Sequence, residues 1–289
     1  MNAFPSELAL PHRFVQEGRP VAWGTAGEGP EGGPGARPPL VLVHGTPFSS
    51  QVWRRIVPWI ARDRRVFWFD LLGYGRSAMV PGADVSLGVQ NGLLAALVRH
   101  WGLERPEVLA HDFGGATVLR AILLDGLAVS RLTLVDPVAI APWGSPFVQH
   151  VRAHEAAFAG LPDAAHAAML EAYIAGAAHR PLGAEARAVH MRPWLGAAGK
   201  AAFYAQIAQM DQRWTDAIEP RLGALDIPVT LLWGEKDAWI PFAQGERLAG
   251  MIPGARLVPV PEAGHLVQED APESVVAAML GATDGRRGP

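Results

Sequence analysis

With 289 residues, 49% of them hydrophobic and 18% charged, the chain can bury a large core, and it lacks the charge-rich composition of a disordered polypeptide. Its 25 Lys and Arg stand against 28 Asp and Glu, a formal charge of -3 with no basic stripe, so nucleic acid is not an expected partner. The absence of cysteine removes disulfides, thiolate chemistry and Cys-ligated metals, and the ten His residues show no H-E-x-x-H spacing; no cofactor or metal is expected. The first residues lack a basic segment followed by an apolar one, and no apolar run reaches bilayer length. A soluble cytoplasmic protein is therefore the expectation, with no membrane partner.

In chain order, two short strands are predicted at Arg13-Phe14-Val15-Gln16 and Pro20-Val21-Ala22-Trp23-Gly24. A Gly- and Pro-rich run over 27–39 is too broken for regular structure and reads as an exposed connection. Leu40-Val41-Leu42-Val43 is continuously apolar, as suits a strand buried on both faces of a parallel sheet, and it ends in His44-Gly45-Thr46-Pro47. A helix containing 52–57 comes next. The strand Arg65-Val66-Phe67-Trp68-Phe69 then leads into Asp70-Leu71-Leu72-Gly73-Tyr74-Gly75-Arg76-Ser77.

The central stretch is Ala110-His111-Asp112-Phe113-Gly114-Gly115-Ala116, between the apolar run Glu107-Val108-Leu109 and a helical pattern over 118–124. Strand, sharp turn and helix are predicted, with Asp112 at the turn and the glycines allowing strained dihedrals and close packing against neighbouring strands. Asp112 could simply cap the helix, as Asp after a strand often does. Its chemistry offers more. A carboxylate that attacks saturated carbon leaves an ester, which activated water can cleave, whereas a hydroxyl in its place would leave an inert ether. An Asp here therefore points to a leaving group on sp3 carbon, chiefly an epoxide or an alkyl halide.

The strand Arg131-Leu132-Thr133-Leu134-Val135 ends at Asp136-Pro137. Alternation of strand and helix then lapses over 139–222, where Ala-rich helical segments are predicted at 148–158, 164–178 and 199–212. It resumes with a strand from 228 that runs into Trp233-Gly234-Glu235-Lys236-Asp237-Ala238-Trp239-Ile240-Pro241. A last strand over 255–260 precedes Pro261-Glu262-Ala263-Gly264-His265.

The elbow resembles the G-x-S-x-G nucleophile elbow of the α/β-hydrolase superfamily, with Ala110 for the first Gly and Asp112 for Ser. His44-Gly45-Thr46-Pro47 resembles the H-G-x-P motif of epoxide hydrolases and haloalkane dehalogenases, and 70–77 resembles the structural D-x-x-G-x-G-x-S loop. The resemblance implies an α/β fold built on a mostly parallel eight-stranded sheet with flanking helices. The core would span 1–138 and 223–289, with a helical cap over 139–222.

It further implies Asp112 as nucleophile, His265 as base and Asp237 as its acid, with Asp136 a rival for that last role. The amides of Thr46 and Phe113 would hold the oxyanion; His44 and His111 would be structural. Haloalkane dehalogenases usually grip the halide with a Trp after the nucleophile and an Asn after H-G. Phe113 and Thr46 stand there instead, leaving Trp143 or Trp194 of the cap to compensate. Epoxide hydrolases use cap tyrosines as acids, and two of the three Tyr, Tyr173 and Tyr204, fall in the cap. Phe113 and Ala116 replace the arginines with which fluoroacetate dehalogenases bind a carboxylate. The expected substrate is a small, fairly apolar molecule, with epoxide opening favoured over dehalogenation. An esterase or lactonase-like activity and a non-catalytic binding role on the same fold remain open, and the oligomeric state is not legible.

Overall fold

The structure, a computed structural model, describes residues 7–28 and 37–281, so most of the Gly- and Pro-rich run over 27–39 lies outside the described residues. Its centre is one eight-stranded sheet in the order β1-β2-β4-β3-β5-β6-β7-β8. The strands are β1 (His12–Gln16), β2 (Arg19–Ala26), β3 (Leu40–Val43), β4 (Val66–Phe69), β5 (Glu107–His111), β6 (Arg131–Val135), β7 (Val229–Gly234) and β8 (Arg256–Val260). β2 runs antiparallel to both β1 and β4; every other pairing is parallel. The central strands β3, β4 and β7 are buried along their whole length, which is why they read as unbroken apolar runs. β1 and β8 are edge strands, and Pro259 in β8 is tolerated because an edge leaves one side of the ladder unpaired.

Helices flank the sheet. Leu87–His100, started by the side chain of Ser86, packs against Phe113–Leu123, and Phe242–Met251 packs on β7 and β8. The helix predicted around 52–57 is instead a 3-10 turn, Ser50–Trp53, and a single α-turn, Val57–Ile60. Pro58 accounts for the interruption: it lacks the N–H that a continuous helix would need, and it sits at the start of the second piece.

Between β6 and β7 lie the helices Pro146–Ala153, Glu155–Ala159, Asp163–Ala175, Ala184–Met191 and Gly196–Ala208. The segment predicted as one helix over 148–158 breaks at His154, whose φ of -136° and ψ of 34° are not helical. Gly196–Ala208 is the hub of this insert and packs on Pro146–Ala153, Glu155–Ala159 and Asp163–Ala175. The short turns Arg213–Asp216 and Glu219–Ala224 pack instead on Phe113–Leu123. Among the described residues no helix is long and apolar enough to cross a membrane.

Candidate active site

Asp112 stands between β5 and Phe113–Leu123 at φ 50° and ψ -119°, a conformation rarely accessible to a side chain with a Cβ. The strained residue is thus Asp112 itself and not the glycines beside it. Its backbone is held on three sides: Asp112 N–H donates to Val135 O (3.2 Å), and Asp112 O accepts from Gly115 N (2.8 Å) and Val138 N (3.1 Å). The glycines serve close approach. A Cβ on Gly114 would lie 2.3 Å from Val43 O, and one on Gly45 would lie 2.3 Å from Asp112 Oδ1. The carboxylate makes no capping hydrogen bond to the helix, so the helix-cap alternative is not what the side chain does.

Instead the carboxylate faces the residues that the sequence singled out. Thr46 N–H donates to Asp112 Oδ1 at 2.6 Å, and the Phe113 amide also favours the ionised carboxylate. His265 Nε2 lies 3.4 Å from Asp112 Oδ2, an ion-pair contact that leaves Nε2 without a well-formed hydrogen bond. On its other side, His265 Nδ1 pairs with Asp237 Oδ2 at 2.8 Å. Asp237 is fixed in turn: its Oδ1 accepts the N–H groups of Trp239 (2.7 Å) and Ile240 (2.9 Å). All three titratable side chains are buried.

Burial alone would raise the Asp112 carboxyl and lower the His265 imidazole. The opposite charges prevail in both. His265 beside it holds Asp112 below its ordinary value, and Asp237 and Asp112 together hold His265 well above the usual imidazole range. The pairing thus favours a proton on His265 while Asp112 stays ionised.

Asp136, the rival acid, does not reach His265. Its Oδ1 accepts from Gly234 N–H (2.9 Å), and among the described residues its buried Oδ2 has no well-formed hydrogen bond. Burial, then the charge of Asp237, pushes its carboxyl well above the ordinary value, which favours the protonated form. His44 and His111 do structural work. His44 Nε2 accepts from Leu71 N–H (2.9 Å), and His111 Nε2 donates to His265 O (3.0 Å), with burial driving the His111 pKa down to about 3. Asp70 takes Ser50 N–H and Arg76 N–H on its two oxygens and makes no contact with the site carboxylates.

Above Asp112 opens a small cleft, walled by Thr46 and Phe113 from the sheet side and by Trp143, Tyr173 and Met210 from the insert, with Trp239 beside His265. Among the described residues, Asp112 is the one formally charged residue that lines it. Tyr173 stacks on Trp239 (4.6 Å, 20°), and among the described residues its hydroxyl has no hydrogen-bond partner. Burial and the charge of Asp112 raise its pKa, so it keeps its proton.

The other insert residues fall differently from expectation. Tyr204, expected over the elbow, is buried inside the insert: its hydroxyl pairs with His166 Nδ1 at 2.8 Å and it does not line the cleft. Trp143 lines the cleft with its ring, but its N–H is spent on Thr215 Oγ1 (2.7 Å). The Trp194 N–H is likewise spent, on Pro47 O. Two residues went unread in the sequence. Trp239 forms a wall of the cleft, and Gln206 accepts the Thr46 hydroxyl (2.8 Å); a lone Gln in an Ala-rich helix gives no local signal.

Comparison with known proteins agrees with this architecture. A haloalkane dehalogenase of Mycobacterium tuberculosis is 29% identical over 264 residues, spanning 85% of this chain and 88% of that protein. The crystal structure of an alpha/beta hydrolase fold protein from Burkholderia ambifaria is 60% identical and superposes with a TM-score of 0.90 over 95% of this chain and 98% of that one. A haloalkane dehalogenase from Bradyrhizobium elkani shares the fold at 22% identity, TM-score 0.73, over 93% and 97% of the two chains. The family model for the alpha/beta hydrolase fold matches residues 38–272, taking in the sheet from β3 onward, Asp112, Asp237 and His265, and the chain belongs to that family.

Proposed function

We propose that the protein is a hydrolase that opens a bond between sp3 carbon and a leaving group, with Asp112 as nucleophile and the His265–Asp237 pair as activator of water. One observation carries this reading: the Thr46 amide already holds Oδ1 of Asp112, at 2.6 Å. In an acyl-transfer enzyme such amides wait for the substrate's carbonyl oxygen. Here they hold an oxygen of the nucleophile itself, which speaks against the esterase or lactonase-like alternative and leaves Oδ2 for attack.

The steps follow from the geometry. Oδ2 bonds to the substrate carbon as the bond to the leaving group breaks, giving an ester whose carbonyl oxygen is Oδ1. Esterification removes the charge of Asp112, one of the two that favour the proton on His265, so the ring gives that proton up to solvent and becomes a base. His265 then takes a proton from water, and the hydroxide attacks Cγ. The oxyanion forms on Oδ1, already on the amide of Thr46, with the Phe113 amide as the second donor of this reading. Collapse expels the product alcohol with the former Oδ2 and restores the carboxylate with one oxygen from water.

Tyr173 favours an epoxide as substrate. Tyr173 lines the cleft and its hydroxyl keeps its proton, with no hydrogen-bond partner among the described residues; on this reading it protonates the opening ring oxygen, and the phenolate recovers its proton from solvent. The helical insert acts as the cap over 139–222, and its apolar wall selects a small neutral molecule; no Lys or Arg lines the cleft to bind a carboxylate. The second reading is haloalkane dehalogenase, favoured by the 29% identical mycobacterial relative. Against it stand Phe113 and Thr46 at the usual halide-binding positions and the spent N–H groups of Trp143 and Trp194.

His265→Gln incubated with small epoxides and 1-haloalkanes, followed by intact mass and peptide mapping, tests the mechanism. An ester on Asp112 is expected from whichever class is the substrate. Diol formation and halide release by the unaltered protein then separate the two readings, and absence of any adduct on Asp112 from either class would sink the nucleophile.

A further inference from the structure

Thr46 has two hydrogen-bond donors, and each is committed. Its backbone N–H donates to Asp112 Oδ1 at 2.6 Å, and its hydroxyl donates to Oε1 of Gln206, on the helix Gly196–Ala208, at 2.8 Å. The same Oε1 accepts the hydroxyl of Tyr74, from the loop after β4, at 2.9 Å. All three side chains are buried. One carboxamide oxygen of the insert thus gathers the loop after β3 and the loop after β4 at the carboxyl edge of the sheet.

The other end of that carboxamide explains why simple packing does not account for it. Gln206 Nε2 is buried with no partner among the described residues, and an unsatisfied amide in an interior is a cost that Leu or Met at this position would not incur. Three residues on, Gln209 shows the ordinary alternative: its Oε1 accepts Val85 N–H (2.8 Å) and its Nε2 donates to Ala83 O (3.1 Å), so both ends are used. Gln206 keeps its place for its oxygen.

Thr is branched at Cβ, so χ1 is stiff, and pinning Oγ1 fixes the orientation of the Cα–Cβ bond and with it the direction of the residue's own N–H. The pinned N–H is the one aimed at Asp112. We propose that Gln206 is a positioning residue that holds the Thr46 amide on the Asp112 carboxylate, making the strength of this oxyanion contact depend on the seating of the helical insert. The catalytic consequence rests on the reading of Asp112 as nucleophile; the hydrogen-bond consequence does not.

Two substitutions test it. Gln206→Met keeps the volume and removes the acceptor, while Thr46→Val removes the hydroxyl and keeps the N–H. In the resting protein, the amide proton resonance of Thr46 is expected to move upfield in Gln206→Met, as the hydrogen bond to Asp112 lengthens. That of residue 46 in Thr46→Val should do the same. In turnover each variant should lose roughly ten- to hundredfold in kcat, short of the full loss of an oxyanion donor, with KM little changed. The double variant should be no worse than either single one, since both break the same tie. In the His265→Gln background, the infrared carbonyl stretch of the trapped ester should rise in both variants.

An unmoved amide resonance in a folded Gln206→Met protein overturns the proposal, whatever happens to kcat. A fall in kcat without that movement assigns Gln206 to direct substrate contact instead. Should Gln206→Met fail to fold, Thr46→Val carries the same measurements and the same refutation. Should no ester form on Asp112 in any background, the proposed function fails, while the resonance of residue 46 still decides the tie.

Discussion

Tyr173→Phe separates epoxide opening from dehalogenation most sharply, because it removes one oxygen and little else. The hydroxyl makes no hydrogen bond to a described residue, and the ring keeps its stacking on Trp239 at 4.6 Å and its contact with Phe147 at 4.7 Å. Stability should therefore shift by no more than about 0.5 kcal/mol, as for changes away from packed or bonded groups. A positioned general acid contributes roughly 10²–10⁴ in rate, or about 3–5 kcal/mol of the barrier. The assay pairs a small terminal epoxide with a 1-haloalkane of similar size, following diol by chromatography and halide by ion-selective electrode. Epoxide turnover should fall by that factor, with trapping of the ester on Asp112 slowed to match. Halide departure needs no proton and should be little affected wherever it occurs. Epoxide turnover at the unaltered rate in the variant would refute the role given to Tyr173, and an equal loss on both substrates would show that the hydroxyl acts otherwise than as the acid of ring opening.

Asp136→Asn should keep activity within a few-fold and leave the pH profile in place, because an amide reproduces the shape of a neutral carboxyl and still accepts from Gly234 N–H. A displacement of the profile by a pH unit would mean that Asp136 is charged. Glu269 offers a pH test of stability. Burial would raise its carboxyl, but His190 and Arg54 hold it down to about 2. A depressed carboxyl stabilises the fold above its unfolded value near 4.5 and loses that contribution as pH falls from there toward 2. The amount is about 3 kcal/mol as an order of magnitude. Urea unfolding at pH 7 and pH 3 should show the decline, and Glu269→Gln should flatten it; an unchanged slope in that variant would assign the acid sensitivity elsewhere.

The sheet could be read from the chain because strands covered on both faces carry few polar positions, and Leu40-Val41-Leu42-Val43 or Val229–Gly234 cannot be mistaken for a surface. The site could be read because its parts sit in short loops at strand ends, where local residue types fix the backbone. The insert was harder. Tyr173 and Tyr204 are alike in sequence context, yet one faces the cleft and the other His166, since helix packing decides which side of each helix looks toward Asp112. The break at His154 has no Gly or Pro to announce it. Leu87–His100 carries little local signal either: Gly88 and Gly92 weaken its helical preference, and packing on Phe113–Leu123 supplies what propensity lacks. Gln206 carries no signal outside the folded state, where residues 160 positions apart meet.

The resting occupancy of the amide at Thr46 has a pharmacological side. Boronic acids and organophosphorus reagents silence serine hydrolases by lodging an anionic oxygen among such donors while bonding to the hydroxyl. With Asp112 Oδ1 already lodged there, a visiting oxygen would have to evict a covalently tethered one. On the proposed mechanism the protein would be refractory to those reagents and vulnerable to alkylating ones.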